Sequence, residues 1–568
     1  MVWNDGMLWL AFNSYKGHTC CLQANDISPT PRNQKHTEIA YLPSEATPHR
    51  GPESDKHQSQ VYPVQSSKRT SHLHIVYASS TPAPAAAFHI YPTPVPQFPK
   101  MSGLKNTRVA VIGGGMAGLA ASRSLLAEGF NVTIFESRSQ LGGVWTGEGL
   151  TGGGDGLMYD GLETNVARSM MTFSDQPWRV TTPLFPPDSC VKEYLQDYAN
   201  TLRASPDGRE SLSCRVGTQV IDIRFVPGSE TWEVISQTVH SLNGQEKQTF
   251  HRVVVAMGTF NTPSMPETDL GRSEWELRHP GTLFHSSKYQ SAEPFTGKTV
   301  LIVGNGPSAA GIGRQICEVA DRVVFSLRTD RPIIRGAYKA GPIERLIPSR
   351  KTVHFHGTPA ERFDYIIYCT GFLYDFPFPS WRNDPLFNSG INIPNLYQHI
   401  FYQPIPTLAF VGLPRITATF MIAEAQAAVV ARVFSRRLPQ PTDREMNRWE
   451  RNVRSTDPNM MMAVARGLST PDEYINLLHN WSWQARNFSR GPDVDEKLPP
   501  FYCRCMVEAQ KVSDRVRRLY MARGARRFDF TTYGSLNIRL NIPCPSARRS
   551  MPLGCSCAMV DRQASWDI

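Results

Sequence analysis

The sequence contains no pair of cysteines at C-x-x-C spacing and no uninterrupted apolar run of about 18 residues. Its 11 cysteines are scattered, and none lies near histidines at zinc-ligand spacing, so we expect no metal site. The apolar run at the start, MVWNDGMLWLAF, is short and interrupted by Asp5, which disfavours a signal peptide. These absences predict no transmembrane segment and favour a reducing, cytoplasmic location.

A nucleic-acid-binding pattern is also lacking, although the formal net charge is +10. Much of the basic excess lies in runs such as RVRRLYMARGARR, from Arg515 to Arg527. No recognisable nucleic-acid-binding motif accompanies this run, so we predict no nucleic-acid partner. We interpret the run as a solvated, arginine-rich helix face and its exit loop.

Composition divides the chain of 568 residues into a central globular part and two atypical ends. Residues 1–103 are rich in Pro, Ser and His, and proline removes a backbone donor, so we predict a disordered extension there. Residues 541–568 are predicted to form a loose tail. The 40% hydrophobic content suffices for a sizeable core between them.

The first ordered feature is a glycine-rich turn between a strand-like run, RVAVI, and a helical stretch. A second strand-like run, NVTIF, follows, which completes a βαβ pattern. In G-x-G-x-x-G the glycines permit a tight turn, a close approach to a pyrophosphate and helix–strand packing. The predicted dinucleotide contacts are Gly113, Gly114, Gly115, Met116, Ala117 and Gly118.

A second turn of the same kind follows the strand-like run TVLIV, and alanine replaces its third glycine, as the pattern tolerates. Its predicted dinucleotide contacts are Gly304, Asn305, Gly306, Ser308 and Ala309. The charge that closes the second strand differs between the two units: Glu136 in the first and Arg328 in the second. A carboxylate accepts the hydroxyls of an unphosphorylated ribose, as in FAD or NAD, whereas a guanidinium binds a 2′-phosphate, as in NADPH. Arg331 and Arg335 lie close enough to share or take over the role of Arg328.

Six further motifs occur around these turns: LGGVW (141–145), LETNVARSMMTFSDQPW (162–178), VVVAMGTFNTPSMP (253–266), GTLFHSSKY (281–289), DYIIYCTGFLYDFPF (364–378) and LYQHIFYQPIPTLAFVGLP (396–414). In kind and order they resemble those of the flavin-containing monooxygenases, class B flavoproteins that use NADPH and O2. The resemblance covers about residues 104–439 and continues more faintly to about Asn537.

This resemblance implies an α/β fold with two dinucleotide-binding, Rossmann-like domains. The NADPH-binding domain, residues 267–360, would be inserted in a discontinuous FAD-binding domain, residues 104–266 and 361–540, which ends in C-terminal helices. The segments AMG (256–258) and CTG (369–371) would be the crossovers between the domains. The oligomeric state stays open.

The resemblance also implies site residues near the flavin. Gly143, Val144 and Trp145 would lie against the cofactor, although Trp145 could equally be a core aromatic. Thr164 and Asn165 match the position where the family holds an asparagine beside the reactive edge of the flavin. The implied reaction is oxygenation of a soft N or S nucleophile of a small molecule through a C4a-hydroperoxyflavin, with Asn165 as the catalytic residue.

Two departures from the family pattern fall in loops. His279 replaces the leading phenylalanine of the identifying motif that continues at Gly281, His285 and Tyr289, and Ala167-Arg168 replaces a Pro-Lys pair. We interpret His285 as a structural histidine.

Other flavoprotein classes share parts of this pattern. Baeyer–Villiger monooxygenases share both turns, but in them Trp followed by Pro or Asp closes the identifying motif, where this chain has Tyr289-Gln290. A flavin disulfide reductase would need a redox cysteine pair, and the N-hydroxylases of ornithine and lysine fit the motifs less well. A non-catalytic flavin-fold binding protein is the alternative from another class.

Overall fold

The computed structural model describes residues 104–149, 156–239, 244–266, 271–381, 390, 393–415, 418–456, 470–485, 497 and 500–538. The predicted extension (1–103) and tail (541–568) lie outside the described residues. Helices α1–α10 of the described part span, in chain order, Met116–Ala127, Asp188–Ala204, Pro206–Ser211, Arg272–Arg278, Pro307–Cys317, Thr419–Phe434, Asp443–Thr456, Pro471–Trp483, Arg504–Lys511 and Ser513–Met521.

Strands β1–β20 of the same residues span, in chain order, Arg108–Ile112, Asn131–Phe135, Leu212–Arg215, Thr218–Val226, Thr231–Thr238, Glu246–Phe250, Arg252–Val255, Thr262–Pro263, Leu283–His285, Thr299–Val303, Arg322–Ser326, Tyr338–Ala340, Ile343–Ile347, Thr352–Phe355, Thr358–Arg362, Tyr365–Tyr368, Phe372–Leu373, Leu396–Tyr397, Phe401–Tyr402 and Leu408–Phe410. Both predicted βαβ units are therefore present, with ends within two residues of the expected ones. No described helix is long and apolar enough to cross a bilayer.

The first large sheet has seven strands in the order β18-β19-β20-β7-β1-β2-β3. Strand β1 pairs in parallel with β2 and β7, which places the first glycine turn at the carboxyl edge of the sheet. Along β1, Val109 and Val111 join a core formed with α1, α2 and α6, whereas Ala110 and Ile112 pack against the small sheet β4-β5-β6. Because successive strand residues point to opposite faces, an unbroken apolar run is buried on both sides.

The second large sheet has five strands in the order β12-β11-β10-β16-β9, and each neighbouring pair is parallel. Strand β10 pairs with β11 over five residues, as β1 does with β2, so the two units share one local geometry. Val300 and Ile302 pack with α5, and Leu301 packs on the opposite face with the small sheet β13-β14-β15.

The strand order shows that the second sheet interrupts the first. Strands β1–β3 and β7 precede it in the chain, and β18–β20 follow it in the chain yet join the first sheet. One boundary that we predicted is wrong: β16, Tyr365–Tyr368, pairs with β10. The second sheet therefore extends beyond residue 360, because the return crossover begins only after this strand.

Candidate functional site

A cavity of about 2080 Å³ lies where the carboxyl edges of both large sheets open. Gly113 and Gly115 of the first turn line it together with Asn305, Gly306 and Ser308 of the second. In open α/β sheets this edge is where ligands bind. The two turns therefore contribute to one cavity.

Steric contacts explain why glycines occupy the first turn. Gly113 has φ +102°, and a Cβ there would lie 2.5 Å from the carbonyl oxygen of Ala256 on β7. A Cβ on Gly118 would lie 1.8 Å from the carbonyl oxygen of Gly113, so α1 packs directly on the turn. A Cβ on Gly143 would lie 2.9 Å from the Cα of Gly115. The glycines of the first turn therefore expose only backbone to the cavity at the start of α1.

Glu136 directly follows β2 and is held in one orientation. Its carboxylate accepts hydrogen bonds from the backbone N–H groups of Gly114 (2.7 Å) and Arg138 (3.0 Å), and it forms a 3.4 Å ion pair with the Arg138 guanidinium. The side chain is buried yet contributes to the cavity wall. A fixed carboxylate beside a glycine cradle at a helix N-terminus fits the ribose and pyrophosphate of FAD.

The segment after Gly142 forms a short 3-10 turn, Gly143–Thr146, against the first glycine turn. Gly143 has φ +61°, and Gly143, Val144 and Trp145 all line the cavity. Trp145 also packs against the core beneath α1. Trp145 therefore packs as a core aromatic, and its contact with the cofactor stays a prediction.

The second turn requires glycine for the same steric reason as the first. Gly304 has φ +112°, and a Cβ there would lie 2.7 Å from the carbonyl oxygen of Cys369, which follows β16. The Asn305 side chain donates to the carbonyl of Pro332 at 2.9 Å, which fastens the turn to the loop after β11. This geometry fits the pyrophosphate of a second dinucleotide, NADPH.

Not every predicted contact residue lines the cavity. Ala309 is fully buried in the core beneath α5, so it acts by packing, as the third position of the pattern requires. Buried or enclosed turn positions that stabilise the turns without lining the cavity are Gly114, Gly118, Gly304 and Ala309. The predicted residues that do line it are Gly113, Gly115, Met116, Ala117, Glu136, Gly143, Val144, Trp145, Thr164, Asn165, Asn305, Gly306 and Ser308.

Arg328 is exposed beyond the end of β11 and is not among the cavity-lining residues. Arg331 and Arg335, the two arginines that we expected to share its role, do line the cavity. The loop that carries them is the one joined to Asn305. The role of Arg328 in binding a 2′-phosphate therefore stays a prediction, and Arg331 becomes the stronger candidate.

Asn165 lies in the cavity wall on a segment that is held from several directions. The neighbouring Thr164 donates its N–H to the carbonyl of Pro186 and its hydroxyl to the carbonyl of Val166, both at 2.9 Å. The carbonyl of Thr164 accepts a hydrogen bond from the Arg517 guanidinium. The backbone before Asn165 is thus fixed by partners from two distant parts of the chain.

The two side chains that depart from the family motifs, Arg168 and His279, both have hydrogen-bond partners. The buried Arg168 guanidinium donates to the carbonyls of Arg179 (2.9 Å) and Thr182 (2.8 Å), so it stabilises its own loop. The His279 ring forms a 2.8 Å hydrogen bond with the carbonyl of Pro348.

The two crossovers between the sheets are joined to each other. Strands β8 and β17, which follow the AMG and CTG segments, pair antiparallel. The buried His285 ring bonds to the carbonyl of Gly371 at 2.9 Å, and burial lowers the pKa of His285. Arg415 donates to the carbonyls of Thr259 (2.9 Å) and Phe372, one on each crossover. His285 therefore has the structural surroundings that we predicted for it.

The arginine-rich run from Arg515 to Arg527 was predicted to be a solvated helix face, and that prediction is wrong for two of its members. Arg517, on α10, lines the cavity, and burial lowers its pKa to about 10. Arg527 forms a 2.5 Å ion pair with the buried Glu163. Helical periodicity could not reveal this, because the covering segment is more than 350 residues away in sequence.

Two cysteines, Cys317 and Cys369, line the cavity. Burial raises the pKa of both thiols, that of Cys369 to about 12, so both stay protonated near neutral pH. Neither Cys317 nor Cys369 forms a disulfide bond. The described part of the cavity therefore holds no redox-active dithiol of the kind that a disulfide reductase needs.

Comparisons with known proteins agree with this architecture. The family model described as flavin-binding monooxygenase-like matches residues 106–356 and 333–484. The thiol-specific monooxygenase of Saccharomyces cerevisiae is 33% identical over 358 residues, which cover 60% of this chain and 80% of that protein. The flavin-containing monooxygenase ustF1 of Aspergillus flavus is 31% identical over 348 residues, which cover 60% of this chain and 74% of that protein.

Among solved structures, S-allyl-L-cysteine S-oxygenase from Allium sativum superimposes with a TM-score of 0.57 at 24% identity and covers 76% of this chain and 96% of that one. This likeness shows a shared fold. The chain belongs to the flavin-binding monooxygenase-like family. It is an FAD- and NADPH-dependent monooxygenase with the two-domain α/β fold of that family.

Proposed function

We propose that this monooxygenase transfers one oxygen atom from O2 to a soft sulfur or nitrogen nucleophile of a small molecule, and that sulfur is the preferred atom. The observation that carries the proposal is the single cavity that both turns and Asn165 line. The name of the yeast relative, a thiol-specific monooxygenase, supports sulfur. Oxygen transfer to a lone pair needs no protein nucleophile, and no histidine is among the described residues that line the cavity.

The chain would hold its cofactors through the two glycine cradles. Gly113, Gly115 and Glu136 would bind the pyrophosphate and ribose of FAD, and Gly306 with Ser308 would bind the pyrophosphate of NADPH. A bound flavin would supply the oxygen-activating chemistry, with NADPH as its reductant. The protein would position the reactants and exclude water from the cavity. Asn165 offers a neutral amide there, and the protonated thiol of Cys369 adds no charge.

The purified protein tests this function. It should be yellow with about one FAD per chain, and it should oxidise NADPH in step with O2 uptake and product when a thiol or thioether is supplied. With 18O2, mass spectrometry should find one labelled oxygen in the product. NADPH consumption that gives only H2O2 with every thiol, thioether and amine, or oxygen insertion into ketones instead, would contradict the proposal.

Substituting Asn165 by alanine should divert turnover from product to H2O2. Loss of one net hydrogen bond, about 1.4 kcal/mol, predicts about tenfold less product per NADPH oxidised. Anaerobic stopped-flow reduction of the flavin by NADPH should stay near the wild-type rate, since Asn165 acts after that step. Unchanged coupling in Asn165→Ala would remove the residue from the mechanism.

For the 2′-phosphate, we expect Arg331→Gln to raise the KM for NADPH about tenfold or more while the KM for NADH stays constant. A charge-assisted hydrogen bond contributes about 1.5–3 kcal/mol, and NADH lacks the group that would accept it. Arg328→Gln should have the smaller effect, because Arg328 lies outside the cavity lining. Steady-state kinetics with NADPH and with NADH show which arginine binds the 2′-phosphate. A larger effect of Arg328→Gln than of Arg331→Gln would restore the assignment of this role to Arg328.

A further inference from the structure

Three arginines from separate parts of the chain interact electrostatically with the carboxylate of Glu163 in the cavity wall. Arg314 comes from α5, Arg517 from α10, and Arg527 from the 3-10 turn Gly524–Asp529. All four side chains line the cavity, and each arginine interacts electrostatically with Glu163. The proposed oxygen transfer uses none of them.

Glu163 neutralises only one of these cations. Its Oε1 accepts both hydrogen bonds from Arg527, from Nε at 2.9 Å and from Nη2 at 2.5 Å. Its Oε2 is buried and has no hydrogen-bond partner among the described residues. The pKa of Arg527 is raised by this pairing, whereas burial lowers the pKa values of Arg314 and Arg517. Charge is therefore compensated at Arg527 and under-compensated at the other two.

Arg314 and Arg517 keep donors for a further anion. Arg517 donates one bond, to the carbonyl of Thr164, and its guanidinium lies 4.7 Å from the centre of the Phe185 ring. Arg314 makes no hydrogen bond to the described residues and meets Glu318 and Glu163 only at longer range. On α10 and directly after α5, three other charged residues line the cavity, Arg518, Asp514 and Glu318, of which Arg518 and Glu318 are exposed. The less solvated charges are thus three arginines and two carboxylates, Glu163 and Asp514, so one positive charge remains in excess.

The position of the two guanidinium groups suits a substrate better than the nicotinamide cofactor. Thr164, the partner of Arg517, directly precedes Asn165 in the chain. Arg314 lies eight residues after Gly306, about 12 Å along α5 at 1.5 Å per residue, whereas a cofactor phosphate binds at the start of that helix. An anion bound by Arg517 would therefore lie near the segment that carries Asn165.

We propose that Arg314 and Arg517 form a subsite for a carboxylate of the nucleophilic substrate, so that the preferred substrates are anionic thiols or thioethers. Planar guanidinium groups match a carboxylate through paired, charge-assisted hydrogen bonds, and a partly desolvated site strengthens them. The proposal rests on the proposed oxygenation, since it names the substrate class of that same cavity. A phosphate of the cofactor has the same anionic chemistry and is distinguished by experiment.

The test compares two thioethers that differ only in charge, 3-(methylthio)propanoate and 3-(methylthio)propanamide. The FAD-loaded wild-type protein should oxygenate the acid with a kcat/KM at least tenfold above that of the amide. Arg314→Gln should lower kcat/KM for the acid about tenfold and leave that for the amide unchanged. Arg515→Gln, an exposed position on the same helix as Arg517 and outside the cavity lining, should change neither value.

Three outcomes would overturn the subsite. Equal kcat/KM for acid and amide in the wild type would do so while leaving the oxygenation intact. A raised Kd for NADP+ in Arg314→Gln, with an unchanged preference for the acid, would assign the arginine to the cofactor. If no nucleophile is oxygenated, the proposed function fails, and calorimetric binding of the acid decides the subsite alone: weaker binding by Arg314→Gln supports it, and equal binding overturns it.

Discussion

Alanine at position 113 is expected to give protein that contains little or no FAD and melts at a lower temperature than the wild type. A non-glycine residue at φ +102° costs about 1–3 kcal/mol in backbone strain alone. The added Cβ would also lie 2.5 Å from the carbonyl oxygen of Ala256, and the turn cannot relax freely, because Gly113 donates its N–H to the carbonyl of Phe135 at 2.8 Å. The cradle must shift, and it is the part that faces the cofactor.

Gly217→Ala is the matched control. Gly217 also has positive φ, +61°, but a Cβ there meets no atom within 4 Å, so only backbone strain applies. FAD content from the visible spectrum and the melting temperature, measured with and without added FAD, separate the two effects. Stoichiometric FAD in Gly113→Ala, with the same melting temperature as the control, would show that the turn does not require glycine.

The two turns were predictable because all their determinants are local. A strand, a helix and a second strand lie within about 30 residues, and β1 pairs in parallel with β2 as β10 does with β11. In this register Glu136 directly follows its strand, whereas Arg328 follows its strand by two residues. What the local pattern could not show is the side-chain direction after the second strand. Glu136 is fixed by the N–H of Gly114, but Arg328 points to solvent, and the next loop supplies the cavity arginines.

The arginines around Glu163 could not be predicted, because they depend on long-range packing. The contact between Arg517 and Thr164 joins residues 353 positions apart. A sequence records that α10 has a polar face, but not that another segment covers it. The same limit explains the misplaced end of the second domain, since β16 is assigned by its pairing with β10 and not by its composition.

Loss of the Lys497 charge should destabilise the protein strongly, because three distant segments meet at this ammonium group. Lys497 pairs with Asp175 at 2.5 Å and with Glu424, which lies on α6 and is 1% exposed. Backbone and hydroxyl groups of Ser174 donate to the same Glu424 carboxylate. Lys497→Met keeps the side-chain length but leaves a buried carboxylate without its cation, which costs about 3–5 kcal/mol.

The stability lost in Lys497→Met should increase as pH rises. Burial already raises the pKa of Glu424, and removal of the lysine raises it further above the unfolded value of about 4.3. The folded variant then binds a proton that the unfolded chain has released, so its stability falls as pH rises through the range between the two pKa values. Denaturant unfolding should show a larger deficit against wild type at pH 8 than at pH 5.

A double variant provides the control for this cluster. In Lys497→Met with Glu424→Gln the carboxylate is neutral, so much of the lost stability and most of the pH dependence should be recovered. Recovery would show that the uncompensated charge of Glu424, and not the packing of the lysine chain, causes the deficit. Equal deficits at both pH values without recovery would mean instead that Lys497 stabilises the fold through its aliphatic contacts.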